Sequence, residues 1–139
     1  MDRLTIDARL EALQRCINRI ESRRAESADA LKTDIDRQDI LSLNLTRAVQ
    51  LSVDIAMHLA ADHDLPTTGT MGSAFMALAD AGIIEPDLAG RLRAAVGFRN
   101  IAVHRYSDID WAIVHHITHE GLDDFRAFAR AVARHGDGH

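Results

Sequence analysis

The chain has 139 residues, of which 47% are hydrophobic and 27% are charged, and its formal net charge is −5. That length suffices for one globular domain, and the apolar fraction argues against disorder. The single cysteine, Cys16, excludes an internal disulfide and fits a reducing cytoplasm, where we expect the protein to act. No apolar run is long enough for a membrane span, the N-terminus lacks the apolar core of a signal peptide, and the acidic balance argues against nonspecific duplex binding.

Hydrophobic spacing predicts helices in the first half of the chain. One amphipathic helix is expected over about residues 4–22, followed by a polar stretch, residues 23–32, interpreted as a loop or a frayed helix end. A long second helix is expected from Thr33, paired with Asp36 as a capping box, to about Asp62. Its apolar stripe has spacings of 4, 3, 4, 3 and 4 and consists of Leu41, Leu45, Ala48, Ser52, Ile55 and Leu59.

Breakers and caps divide the second half into three further helices. A third helix is expected over residues 71–81, a fourth has a proline in its first turn, and a fifth has a stripe that reaches Val132. The residues that end or cap these helices are, in chain order, Pro66, Gly69, Thr70 as a cap, Gly82, Pro86, and Asp108 or Asp110 as a cap. The sequence therefore predicts an all-α, up-and-down bundle of about five helices, forming one domain over residues 1–139 with a loose tail from about residue 135.

One window departs from the acidic balance of the chain. Residues 88–107 contain four of the 16 Lys and Arg residues, one histidine, and none of the 21 Asp and Glu residues. The four arginines are Arg91, Arg93, Arg99 and Arg105. A local anion site is one interpretation, in which Arg91, Arg93 and Arg105 contact RNA phosphates; a solvated helix face is the other.

Arg99 and His104 within this window have the chemistry for metal-free RNA transesterification. An imidazole can take the proton of a 2′-hydroxyl, while a guanidinium stabilises charge on the phosphorane. Five residues along a helix leave the two side chains about 140° apart and about 7.5 Å apart along the axis. Either the helix ends or bends near His104, or a second copy of the chain completes the site across a two-fold axis.

The segment from Gly97 to Tyr106 resembles the HEPN superfamily, and in particular its HepT-like ribonuclease toxins. The signature consists of Arg99, the polar Asn100 beside it, and His104; the extension from His104 to Tyr106 is typical of the HepT branch. The order of the other predicted helices is also similar to that family over nearly the whole chain.

The resemblance implies a dimeric helical bundle that cleaves RNA without a metal or a cofactor, as the toxin of a type VII toxin–antitoxin pair. It also implies a partner, a minimal nucleotidyltransferase (MNT) antitoxin that transfers AMP from ATP to Tyr106. Because an adenylate is bulky and anionic, it would occupy the phosphate site beside Arg99 and His104 and repel RNA. Without the resemblance, Tyr106 is equally well interpreted as a half-buried anchor of the turn after the fourth helix.

Two other groups of polar residues have alternative interpretations. Asp54, like Asn100, is a candidate supporting residue that orients the catalytic groups, but it also fits a buried polar cluster or a surface ion pair. His115 and His119 are four residues apart and could chelate a metal, yet no third ligand accompanies them. The cluster of His115, His116 and His119 therefore supports a metal hypothesis only weakly, and we expect no metal site.

Two alternative functions remain open from the sequence. A noncatalytic helical module would bind a nucleotidyltransferase or a nucleotide without turning over RNA. A metal-dependent bundle enzyme would need paired Glu-x-x-His motifs, which this sequence lacks.

Overall fold

The computed structural model describes residues 3–136, and every regular element in that range is helical. The α-helices are α1 (Arg3–Ser22), α2 (Ala28–Lys32), α3 (Ile35–Asp62), α4 (Ser73–Asp80), α5 (Pro86–His104), α6 (Trp111–His116) and α7 (Leu122–Gly136). A 3₁₀ turn (Tyr106–Asp108) follows α5, and a π-helical segment (Ile117–Gly121) joins α6 to α7. The predicted all-α fold is confirmed.

The long helices alternate in direction around one core. Arg37, near the start of α3, donates from Nη1 to the carbonyl oxygens of Arg23 and Arg24 just after α1, at 2.8 and 3.0 Å. Arg105 follows the end of α5 and begins a turn that contacts the start of α3. Helix α5 therefore runs antiparallel to α3. The α6–π–α7 stretch then returns along α5 and packs against α1.

The predicted stripes supply the core. The side chains of the α3 stripe are all buried, and those of α1, α5 and α7 join them in one apolar cluster. Phe75 from α4 meets Phe128 from α7 edge to face, with ring centroids 5.6 Å apart, and both rings are almost completely buried. These rings connect the short α4 to the last helix of the bundle.

Several predicted helix starts differ from those in the structure. Asp34, not Thr33, caps α3: its Oδ1 accepts from the Arg37 backbone N–H at 3.0 Å. The stretch expected as a loop or a frayed helix end contains α2, which Ser27 caps. Thr70 does not cap α4, since its hydroxyl pairs with that of Thr68, 3.2 Å away.

The fifth predicted helix is interrupted by the π segment. Asp110 caps its start, as one of the two predicted alternatives. Within it, the Thr118 hydroxyl donates to the His115 carbonyl at 2.9 Å, an arrangement that bends helices. Gly121 ends the segment, and a Cβ there would lie 3.2 Å from Ile117 Cγ2, so glycine avoids a close contact with that side chain.

Two further expectations concern the C-terminal tail and membrane-spanning helices. Helix α7 continues through Gly136, and residues 137–139 of the predicted loose tail lie outside the described residues. Among residues 3–136, no helix is both long enough and apolar enough to cross a membrane.

Removing the Phe128 ring should destabilise the bundle strongly. Phe128→Ala deletes a fully buried ring and its contact with Phe75, so we expect a loss of about 3–5 kcal/mol in the free energy of unfolding, measured by urea titration. Met57→Ala, at an exposed position of α3, is the matched control and should change this free energy by less than about 0.5 kcal/mol. Equal losses for the two variants would contradict this assignment of the core.

Candidate active site

The last turns of α5 carry the candidate catalytic residues. Pro86 occupies the first turn of the helix, which continues unbroken to His104; Arg105, with φ of −144°, then leaves the helix. The helix therefore ends near His104, as one predicted alternative required, but only after both residues have helical geometry. Within one chain, Arg99 and His104 still project about 140° apart.

Arg99 and His104 both have unused hydrogen-bonding capacity. The half-buried Arg99 donates from Nη1 to the side-chain oxygen of Asn100 at 3.2 Å, while its Nε is buried and has no partner in the described part of the chain. His104 is exposed, and within residues 3–136 its ring makes no hydrogen bond or ion pair. A guanidinium and an imidazole are thus both available to a ligand at this end of the bundle.

Tyr106 is held in place by a carboxylate from another helix. Its hydroxyl donates to Asp39 Oδ1 at 2.7 Å, and its ring packs edge to face on Trp111, with centroids 6.0 Å apart. Partial burial, and next the hydrogen bond to Asp39, raise the pKa of Tyr106. The phenol is nevertheless 43% exposed, so its oxygen is oriented and accessible at the same time.

Asp39 is a site residue that the sequence did not reveal. It lies 67 positions before Tyr106 on an exposed face of α3, and no local pattern distinguishes it from other surface acids. Asp54, the predicted supporting carboxylate, accepts a hydrogen bond from Gln50 at 3.1 Å. No hydrogen bond or ion pair among the described residues links Asp54 to Arg99 or His104, and its supporting role stays a prediction.

The other arginines of the basic window do not converge on Arg99. Arg91 forms an ion pair with Asp124 of α7, at 2.9 Å. The Arg93 side chain covers Gly72, where an added Cβ would lie 2.9 Å from its Cγ. Arg105 lies 3.9 Å from a carboxylate in the following turn. Their contact with RNA phosphates stays a prediction.

The histidine cluster lies on a different face. The rings of His115 and His119 are 4.3 Å apart, and His119 Nε2 lies 3.0 Å from the carbonyl oxygen of Ala25. Burial, and then the charge of His119, lower the pKa of His115. His116 instead pairs with Glu120 at 3.3 Å. Among residues 3–136, no three His, Cys, Asp or Glu side chains come together in a way that could hold a metal ion.

The contact between Tyr106 and Asp39 predicts a specific titration. Asp39→Asn removes the negative charge beside the phenol, so the pKa of Tyr106 should fall toward its ordinary value while the effect of burial remains. Because Tyr106 is the only tyrosine, the ultraviolet absorbance of phenolate reports this group alone. Asp36→Asn, an exposed acid in the same helix, is the control and should leave the titration unchanged; an unchanged titration in Asp39→Asn would refute the contact.

Comparisons of sequence place the chain among nucleases. The model of the family described as ribonuclease HepT-like matches residues 13–132. The chain is 33% identical to an mRNA nuclease HepT of Shewanella oneidensis over 124 residues, covering 89% of this chain and 92% of the relative. It is 30% identical to a tRNA nuclease HepT of Aphanizomenon flos-aquae over 105 residues, covering 76% and 71%.

Comparisons of structure agree. A tri-AMPylated HEPN toxin of Shewanella oneidensis, solved in complex with MNT antitoxin, superposes with a TM-score of 0.88 at 31% identity, covering 96% of this chain and 99% of that one. A toxin–antitoxin structure with AMP-PNP gives a TM-score of 0.85 at 31% identity, covering 95% and 99%. The resemblance drawn from the motif is therefore confirmed, and the chain belongs to the HepT-like ribonuclease family of HEPN proteins.

Proposed function

We propose that this chain is the toxin of a type VII HEPN/MNT toxin–antitoxin pair, a metal-independent endoribonuclease that acts as a homodimer. The observation that carries the proposal is the joint placement of Arg99, His104 and Tyr106 at the end of α5, with the Tyr106 hydroxyl fixed on Asp39 and still accessible. Both named sequence relatives are RNA nucleases, which supports RNA as the substrate.

The side chains suffice for a phosphoryl transfer without a metal. One His104 imidazole takes the proton of the ribose 2′-hydroxyl, whose oxygen then attacks the adjacent phosphorus. Arg99 stabilises the charge on the phosphorane, and a second, protonated His104 gives its proton to the departing 5′-oxygen. The products are a 2′,3′-cyclic phosphate and a 5′-hydroxyl. DNA, which lacks the 2′-hydroxyl, is not a substrate for this reaction.

Two features of α5 support a dimer. Arg99 and His104 of one chain point about 140° apart, so a second chain is needed to bring both kinds of group to one phosphate. On the exposed side of α5, a Cβ added at Gly90 or Gly97 would meet no atom within 4 Å. The backbone of another helix can approach closely there, because no side chain stands in the way.

Tyr106 is suited to be the modified residue that switches the toxin off. The phenol oxygen would attack the α-phosphorus of ATP bound by the antitoxin, forming the tyrosyl–AMP bond and releasing pyrophosphate. Tyr106 lies two residues after His104, so the added phosphate and base would stand where RNA must bind. The AMPylated structural relative and the one containing AMP-PNP support this regulation.

Cleavage should depend on the two motif residues and not on metal. The purified chain should cleave single-stranded RNA in EDTA, and His104→Ala should lower the rate by about 10²–10⁴-fold because the general base is lost. Arg99→Ala should lower it by about 10²–10³-fold, as expected for a lost charge-stabilising group. Denaturing gels of labelled RNA measure the rate.

The matched control is Arg134→Ala, which removes an exposed arginine near the end of α7 and should cleave at the wild-type rate. Undiminished cleavage by His104→Ala would refute the mechanism. Binding of a nucleotidyltransferase or a nucleotide, without any RNA cleavage by the wild-type chain, would instead favour the noncatalytic helical module.

Tyr106 should be the acceptor of AMP. After coexpression with an MNT antitoxin encoded beside this chain, intact-mass spectrometry should show increments of one or more adenylates together with loss of RNA cleavage. Tyr106→Phe retains the ring against Trp111 and removes only the acceptor oxygen, so the increments should vanish. Increments that persist in Tyr106→Phe would place the modification elsewhere.

A further inference from the structure

A second positively charged surface lies outside the basic window, in a groove between α1 and α3 with a volume of about 750 Å³. Arg15 and Arg19 line it from α1, and Arg47 lines it from α3. Its apolar lining includes Cys16, Leu43 and Leu51. We call this surface the α1–α3 groove.

The α1–α3 groove has positive charge that no carboxylate neutralises. No acidic residue lines it, although the chain as a whole carries a net charge of −5. Arg15, Arg19 and Arg47 are exposed and make no ion pair or hydrogen bond within residues 3–136. Arginines that do form ion pairs elsewhere are Arg3, Arg24, Arg37, Arg91, Arg105 and Arg126.

Charges from both walls act on the same point of the groove. Cys16 is 7% exposed, and burial raises the pKa of its thiol, while the positive charges of Arg47 and Arg15 act in the opposite direction. Arg15 of α1 and Arg47 of α3 therefore place positive charge on both walls of the same groove. Such an arrangement suits a ligand with several negative charges along its length.

The groove begins close to the candidate active site. Leu43, which lines it, is one helical turn beyond Asp39, the residue that holds the Tyr106 hydroxyl. One turn of α3 advances about 6 Å along the helix axis, less than the length of two extended nucleotides. An RNA strand that extends from the end of α5 would need to cross only this turn of α3, at Leu43, to enter the α1–α3 groove, and Leu43 is 49% exposed.

We propose that the α1–α3 groove binds the sugar–phosphate backbone of single-stranded RNA that extends from the cleavage site. Arg15, Arg19 and Arg47 contact successive phosphates, and the exposed Leu43 side chain packs against a ribose or base. This inference rests on RNA being the substrate. The unneutralised arginines favour a phosphate chain over a protein partner, whose surface would present carboxylates only at discrete points.

The test is RNA binding by the full chain in which cleavage is disabled by His104→Ala. Fluorescence anisotropy with a labelled single-stranded RNA of mixed sequence gives Kd at several salt concentrations. Adding Arg15→Ala, Arg19→Ala and Arg47→Ala should weaken binding by about tenfold or more. The slope of log affinity against log salt should become shallower by about 2, as expected when three phosphate contacts are lost.

The matched control adds Arg23→Ala, Arg130→Ala and Arg134→Ala to the same background; it removes the same charge from exposed arginines that do not line the groove. Its affinity should stay within about twofold of the parent. Equal losses in the two triple variants, or an unchanged Kd in the groove variant, would overturn the inference. Unchanged RNA affinity combined with lost binding to the antitoxin would assign the groove to a protein and overturn it as well.

Circular dichroism checks that both triple variants are folded. If the groove variant unfolds, Arg47→Gln alone is measured and should weaken binding by about two- to fivefold. The cleavage assay of the wild-type chain separates this inference from the proposed function. A wild-type chain that cleaves RNA while the groove variant binds normally refutes the groove alone, whereas a wild-type chain that neither cleaves nor binds RNA refutes the RNA substrate.

Discussion

The continuity of α5 is the constraint on which the account of the site depends. Because the helix persists from Pro86 through His104, the Arg99 and His104 side chains leave its backbone in directions about 140° apart. Tyr106 lies in the turn that follows this helix, where its hydroxyl donates a hydrogen bond to Asp39 of α3. This geometry is the basis of the proposal that two copies of the chain divide the site between them.

The charges of the chain are arranged unevenly around that site. Although the net charge is −5, the chain contains a groove that three arginines and no acidic residue line, and this groove starts one helical turn from Asp39. Within the basic window, by contrast, Arg91 is neutralised by Asp124, and Arg93 packs over a glycine. Spatial arrangement, not density of charge along the sequence, determines where a polyanion finds unpaired cations.

Hydrophobic periodicity was enough to predict the long helices, and the spacing of Arg99, His104 and Tyr106 was enough to identify the family motif. Both are local properties of the sequence. The short α2 and the π segment were missed, since a five-residue helix and one extra residue in a turn leave little periodic signal. Asp39 and the α1–α3 groove were missed because they depend on contacts between distant parts of the chain. Only the packing of α1, α3 and α5 brings those residues together.

The most direct test of the divided site is complementation in a mixed dimer. Arg99→Ala and His104→Ala chains carrying different affinity tags are coexpressed, and the dimer that contains one of each is purified through both tags. It retains one Arg99 and one His104 on different chains, whereas a dimer of one wild-type chain and one doubly substituted chain retains the same two residues on one chain. Both dimers lack the second His104 that acts as the acid, so we expect both to cleave RNA more slowly than the wild type, and the dimer with the two residues on different chains to cleave faster than the other. Equal cleavage by the two mixed dimers, or faster cleavage by the one that retains both residues on one chain, would contradict the account.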